Sequence, residues 1–249
     1  MDNFVHKRKR STEDQESIGK KRNSMSSGGT LENGTAKNPT RSLNIKAENL
    51  DLEYHILFSK READDLFQRC EKELIYNTGQ LAQVKIFGKW LDIPRKQVAH
   101  GDEGLAYTFS NNTIPAKPWT PLLLEIKDAI THLTGHTFNF VLINRYKDGR
   151  DYMGEHKDDE KDLDPYAPIA SLSLGQQRDF VFKHGESRGK GAKRKIDPVK
   201  VELASGSLLL MKYPTNRYWY HCLPVRRNAP NVRINMTFRQ MLTSEIKGS

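Results

Sequence analysis

His156 and Asp158 stand two residues apart in the stretch Gly154-Glu-His-Lys-Asp-Asp-Glu160. On an extended strand that spacing puts both side chains on one face, where an imidazole and a carboxylate can hold one cation together. One more imidazole would complete the facial set of two histidines and a carboxylate that leaves a metal such as iron(II) three open positions for a co-substrate and dioxygen. His221, 65 residues on and inside a strand candidate rich in aromatics, is available as that third ligand. The bland alternatives are a solvated charged loop at His156 and a buried core histidine at His221. The neighbouring elements must decide.

The terminal segment Val232-Arg-Ile-Asn-Met-Thr-Phe-Arg239 alternates strictly. Arg233, Asn235, Thr237 and Arg239 therefore share one face of a strand, and the apolar residues share the other. Two arginines turned into a protein interior are costly unless they meet anions. A dicarboxylate guest would satisfy both, because a guanidinium pairs with a carboxylate in a planar fork. Asn144 and Tyr146, also two apart, offer hydrogen bonds to the same guest. An outward, solvated face is the competing reading of the arginines.

The elements that must position these residues are legible in part. Ser59-Lys-Arg-Glu62 has the form of a capping box, so a helix should start there, with Ala63, Leu66, Phe67, Cys70 and Leu74 as its apolar face. A second helix should run from Pro121, after the cap candidate Thr120, to a stop at Gly135. Between them Val84-Lys-Ile-Phe-Gly-Lys-Trp90 reads as a strand turning at Gly88. Phe87 at such a tip, beside Lys85 and Lys89, has the chemistry of a wedge into a base stack, while a core phenylalanine is the plainer alternative. Tyr107 and Phe109 share a face of another strand.

From Phe138 the chain becomes a run of short strand candidates at 138–146, 169–174, 179–183, 199–203, 207–212, 218–222 and 232–241, with no helix among them. This pattern predicts a mainly β fold with flanking helices, a jelly roll holding the metal inside. A segment from Lys183 to Lys200 interrupts it with seven lysines and arginines against Glu186 and Asp197. Facing a duplex it would neutralise phosphates, with Arg226 and Arg227 adding to the supply.

With 249 residues and a net charge of +9, the chain is long enough for one large β-rich domain plus a tail, and its charge favours a polyanionic partner. Residues 1–45 lack the large apolar side chains needed to offset ordering, and read as a disordered basic tail. Lys7-Arg-Lys-Arg10 and Lys20-Lys-Arg22 look like a two-part nuclear localisation signal, which points to the nucleus. No run approaches the roughly 18 apolar residues of a membrane span. Cys70 and Cys222 read as reduced thiols.

The triad His156, Asp158 and His221, followed by Arg233 and Arg239, resembles the signature of the AlkB family of iron(II)- and 2-oxoglutarate-dependent dioxygenases. The words Phe138-Asn-Phe-Val-Leu-Ile-Asn-Arg-Tyr-Lys-Asp-Gly149, Arg178-Asp-Phe-Val-Phe182 and the hairpin at Ile86 to Trp90 are similar to it as well. The similarity covers about residue 45 to the end.

The resemblance implies a double-stranded β-helix (jelly roll) at 138–249, carrying an N-terminal nucleotide-recognition extension at 46–137, the two forming one structural unit. It implies iron(II) held by His156, Asp158 and His221, and 2-oxoglutarate held by Asn144, Tyr146, Arg233, Thr237 and Arg239, with O2 as second co-substrate. Phe87, Gly88 and Lys89 would form a finger filling the gap left by a flipped base. Tyr107, Thr108 and Phe109 would line the base pocket, with Asp159 and Glu160 contacting the base. The activity implied is a DNA repair oxidative demethylase acting on 1-methyladenine and 3-methylcytosine in double-stranded DNA, as a monomer. A sliding-clamp contact is implied at the extreme N-terminus, where Asn3-Phe-Val-His-Lys7 departs from the expected pattern at its first and fourth positions. The rival readings are the same chemistry on RNA or protein, a non-catalytic nucleic-acid-binding jelly roll, and a zinc hydrolase.

Overall fold

Two-residue alternation along the central strands sorts the apolar residues of this protein into two cores. The computed structural model describes residues 42–86, 88–109 and 112–242. Its elements begin with β1 (Ser42–Ala47), β2 (Leu50–Ile56), α1 (Lys60–Glu73), β3 (Gln83–Ile86), β4 (Lys89–Asp92), β5 (Lys96–Gly101), β6 (Ala106–Phe109), β7 (Asn112–Pro115) and α2 (Pro121–Thr134). They continue with β8 (Phe140–Tyr146), β9 (Met153–His156), β10 (Ile169–Gly175), β11 (Arg178–His184), β12 (Val199–Leu203), β13 (Ser207–Met211), α3 (Thr215–Tyr218), β14 (Trp219–Leu223) and β15 (Arg233–Arg239). The strands form a seven-stranded sheet in the order β1-β2-β13-β10-β15-β8-β5 and a four-stranded sheet in the order β12-β11-β14-β9, with two separate hairpins, β3-β4 and β6-β7.

On β15, Ile234, Met236 and Phe238 are buried on one face, and β8 and β10 add Val141, Ile143, Ala170, Leu172 and Leu174. Against them lie Leu66 and Cys70 of α1 and Leu123, Ile126 and Ile130 of α2. Each such buried aliphatic contributes about 1.5–3 kcal/mol, so the helices act as a brace for one side of the large sheet. A second core, including Phe140, Leu142, Leu209, Phe182, Leu203 and Trp219, joins the inner faces of the two sheets. The polar residues of the inner face, Arg233, Asn235, Thr237 and Arg239, are therefore held buried between the sheets.

Both helices begin where their caps predict. Ser59 Oγ accepts from Glu62 N while Glu62 accepts from Ser59 N, and Thr120 Oγ1 accepts from Leu123 N, with Pro121 opening α2. The expectation of a helix-free chain after Phe138 fails at α3, a single turn on which Asn216 sits just ahead of β14. β1 and β2, absent from the sequence reading, extend the large sheet by pairing β2 with β13. The tip of the β3-β4 hairpin turns at Gly88 with φ of 81°, a conformation that favours glycine.

The basic segment is less free than its local sequence implies. Lys183 and Arg188 pair with Glu155, Arg194 with Glu48 and Glu186, and Lys200 and Arg226 with Asp179. Most of those carboxylates come from distant segments that a local charge count does not see. Lys190, Lys193 and Lys195 remain exposed, with no ion pair among the described residues.

Candidate active site

β9 and β14 pair antiparallel with His156 directly opposite His221, which brings two imidazoles together across the small sheet. Their ring centroids are 4.3 Å apart. Asp158 joins them differently from the sequence expectation, because β9 ends at His156 and Asp158 lies in the loop beyond. What holds it is Asn216 of α3, which accepts from Asp158 N at 3.1 Å and donates to Asp158 O at 2.6 Å. Asp158 Oδ1 then lies 3.6 Å from His156 Nε2 and 3.8 Å from His221 Nε2, and one ligand atom from each of the three residues falls within 4.8 Å of the others. Replacing Asn216 with alanine should weaken metal binding by about 10–100-fold, the usual cost of losing an outer-shell partner, and isothermal titration with a divalent metal would measure it.

The protonation states suit a metal. His156 Nδ1 lies 3.0 Å from the Gly154 carbonyl oxygen and Nε2 faces Asp158. Burial pulls this imidazole down, but Asp158 and the Gly154 carbonyl outweigh it and raise its pKa, so a metal ion would take the place of a proton at Nε2. Burial pushes the His221 imidazole down and so keeps it neutral. Burial alone would push the Asp158 carboxyl up, but Arg239 and the two imidazoles outweigh it and hold the group well below the usual carboxylate range. Two neutral-capable imidazoles and one ionised carboxylate form a nitrogen and oxygen donor set that fits iron(II).

These residues face a cavity of about 570 Å³ between the two sheets, whose floor is the polar face of β15. Arg239 is fully buried; its Nη2 lies 3.0 Å from Asp158 Oδ1 and its Nη1 3.6 Å from Glu160 Oε1. Arg233, also buried, donates to Ser173 Oγ at 2.9 Å and stands 5.3 Å from the Tyr146 ring centroid, yet its Nε has no hydrogen-bond partner. Burial without a carboxylate partner brings its pKa down to about 10. A buried guanidinium with an orphaned donor is what a carboxylate-bearing guest would complete. Asn144, Tyr146 and Thr237 line the same cavity.

Tyr107 and Thr108 also line the cavity, and Thr108 Oγ1 hydrogen-bonds Thr113 Oγ1 across β6 and β7 at 3.0 Å. Phe109 closes β6. Asp159 is exposed on the cavity wall, whereas the carboxylate of its neighbour Glu160 is buried and its pKa is raised by burial against the pull of Arg239. Gly88 and Lys89 are exposed in the β3-β4 hairpin; Phe87 lies outside the described residues.

Several site residues escaped sequence reasoning. Arg95 donates to Asn144 Oδ1 at 2.7 Å and Gln97 to the same atom at 3.3 Å. Ser171 accepts from Asn235, as Ser173 does from Arg233, both serines lying on the inner face of β10. Their alternation with Ala170, Leu172 and Leu174 was the available signal. Arg178 is buried and donates to the carbonyls of Asp148, Asp151 and Pro224, tying down the loop that feeds β9. That loop packs so closely that a side chain at Gly149 would put its Cβ 1.6 Å from the Arg226 carbonyl oxygen.

Comparison with known proteins agrees with this geometry. Residues 52–239 match the family model of the 2OG-Fe(II) oxygenase superfamily. The DNA oxidative demethylase ALKBH2 of Homo sapiens is 56% identical over 81% of this chain and 77% of its own length. The alpha-ketoglutarate-dependent dioxygenase alkB homolog 3 of Homo sapiens is 37% identical over 59% of this chain and 51% of its own length. Among solved structures, that of OsALKBH1 superposes with a TM-score of 0.52 at 17% identity, over 81% of this chain and all of the other, a likeness of fold. A metal-ready triad above two buried arginines, on strands spanned end to end by that family match, means that the chain belongs to the 2OG-Fe(II) oxygenase superfamily, within its AlkB branch.

Proposed function

We propose that this protein is a DNA repair oxidative demethylase that uses iron(II), 2-oxoglutarate and O2, the activity for which the human ALKBH2 relative is named. The observation that carries the reading is the pairing, inside one cavity, of the triad with an incompletely partnered buried arginine, Arg233. Iron(II) bound there would couple oxidative decarboxylation of 2-oxoglutarate, to succinate and CO2, with insertion of one oxygen atom into the methyl C–H bond of the damaged base.

His156, Asp158 and His221 would hold the metal. Arg233 would clamp the distal carboxylate of 2-oxoglutarate, while Asn144, Tyr146 and Thr237 orient it and Arg239 stands nearer the metal. The hydroxymethyl adduct on the base then releases formaldehyde and leaves the unmodified base. We infer 1-methyladenine and 3-methylcytosine as substrates, cationic bases whose pairing edge is blocked. Their charge suits the face of Tyr107 and the carboxylate of Asp159, and their lost pairing lowers the cost of extrusion from a duplex.

Residues 46–137 would serve as the recognition extension on the jelly roll at 138–249, with Tyr107, Thr108 and Phe109 around the base. The exposure of Trp90 and Leu91, each 48%, beside Lys89 supports contact between the β3-β4 hairpin and nucleic acid. With Phe87 as the wedge, Phe87→Ala should lower duplex repair by roughly 5- to 100-fold, the value of one base-aromatic stack, and spare single-stranded repair. Equal loss on both substrates would remove the finger from the account. The nuclear localisation signal and the sliding-clamp segment Asn3 to Lys7 lie outside the described residues; nuclear residence, clamp binding and a monomeric state are parts of the same proposal. No helix among the described residues is long and apolar enough to cross a membrane.

The test is demethylation of a 1-methyladenine duplex read by mass, with iron(II) and 2-oxoglutarate each supplied or omitted. Loss of one methyl only when both are present is the expected result. An unchanged duplex in every condition, with folded protein that binds it, would overturn the reading.

A further inference from the structure

One aromatic and cationic stretch of the described surface has no part in the chemistry above. Tyr166 and Tyr213 stand side by side with ring centroids 5.1 Å apart, and they are 72% and 44% exposed. Paired tyrosine faces left open to water offer what an unpaired nucleobase stacks on. Next to them Arg217 is exposed, supported by the hydroxyl of Tyr213 and by no carboxylate among the described residues.

These side chains line a cleft of about 370 Å³ that adjoins the catalytic cavity, the segment Lys157 to Glu160 lining both. A further recess of about 410 Å³ begins across Lys157 and Arg217, which line both. In it His184, buried with Nε2 lacking a hydrogen-bond partner, stacks on Tyr218. Neither recess is lined by the β3-β4 or β6-β7 hairpins, so the track runs beside the cavity along a wall those hairpins do not share. Its charges are placed unevenly. Asp159 and Asp164 line the inner cleft, where carboxylates repel phosphate but accept hydrogen bonds from the amino groups of bases. Lys157 and Arg217 form the cationic ridge between the recesses.

We propose that this track binds the unpaired nucleotides next to the target base on one side, with bases on the Tyr166–Tyr213 pair and phosphates along the Lys157–Arg217 ridge. The proposal rests on the reading of the protein as a nucleic-acid demethylase. Stacking on tyrosine needs an open base face, so the track serves single-stranded or frayed substrate.

The test compares the wild type with a Tyr166→Ala, Arg217→Ala double variant. The substrates are single-stranded oligonucleotides carrying one 1-methyladenine, either flanked on both sides or trimmed to the lesion on the 5′ or the 3′ side. For the wild type, trimming one particular side should raise KM by roughly 5- to 20-fold with little change in kcat, and trimming the other should do much less. The double variant should show the raised KM on every substrate and match the wild type on the oligonucleotide trimmed at the sensitive side. Equal KM values for both proteins on all substrates, with demethylation intact, would overturn the track and leave the function standing. So would an equal loss by the variant on the trimmed substrate, which would mark a structural defect. Failure of the wild type to demethylate any oligonucleotide or duplex would overturn the functional reading itself, and the track with it.

Discussion

Arg233→Met is expected to raise the melting temperature of the ligand-free protein and to remove its response to 2-oxoglutarate. Arg233 is held fully buried against Ser173 and Tyr146, with an orphaned Nε, no carboxylate partner and a pKa brought down to about 10, so the ligand-free fold bears a desolvation cost that these contacts offset only in part. Replacing even a buried ion pair with apolar side chains of similar volume is often neutral or stabilising by about 1–4 kcal/mol, and a guanidinium with no carboxylate partner has less to lose. Stranding Ser173 takes back about 1 kcal/mol. The remainder corresponds to a rise of several degrees at about 2–4 °C per kcal/mol. The effect on the co-substrate runs the other way. Losing one partner of a buried charge pair costs about 2–5 kcal/mol, so the KM for 2-oxoglutarate should rise by roughly 30-fold to several thousandfold. Thermal scans with and without 2-oxoglutarate, beside initial rates, read both signs. A variant that melts lower than the wild type without ligand would show that Arg233 serves the fold.

The same residue marks how far sequence could be read. Strict alternation on β15 placed Arg233, Asn235, Thr237 and Arg239 on one face, and the structure buries all four. The caps at Ser59 and Thr120 were legible because a helix start is a local event over four residues. What stayed hidden depends on pairings between distant segments. Asp158 is positioned by Asn216, which no spacing within the His156 stretch could reveal. Arg95 reaches Asn144 because β5 pairs with β8, a register set by residues nearly fifty apart in the chain. The segment 42–56 carries mixed polar and apolar residues, and it becomes two strands because β13 offers an edge for β2. The basic segment 183–200 erred in the opposite sense: its window held two carboxylates, while Glu48, Glu155 and Asp179 arrive by folding.

Asp158→Ala and His221→Ala should both abolish turnover, exceeding the roughly 10–100-fold cost of outer-shell changes, yet differ in stability. In the metal-free protein Asp158 is the near partner of Arg239, whose Nη2 lies 3.0 Å from its carboxylate. Removing it leaves a buried guanidinium facing only Glu160 at 3.6 Å, a carboxyl that burial already pushes toward its neutral form. Breaking a buried pair in this way costs about 3–5 kcal/mol. His221 is neutral by burial, and its Nδ1 has no partner to lose, so its removal strands no charge and should cost less. Urea unfolding without metal measures that difference. Adding metal separates the second effect, since a ligand at a hundred times its Kd stabilises the wild type by about 2.7 kcal/mol and should stabilise neither variant. Equal metal-free stabilities would mean that Glu160 alone can neutralise Arg239, making Asp158 a ligand with no structural share. A gain with metal in either variant would mean that two of the three ligands suffice to bind, and that the third is kept for orienting the co-substrate.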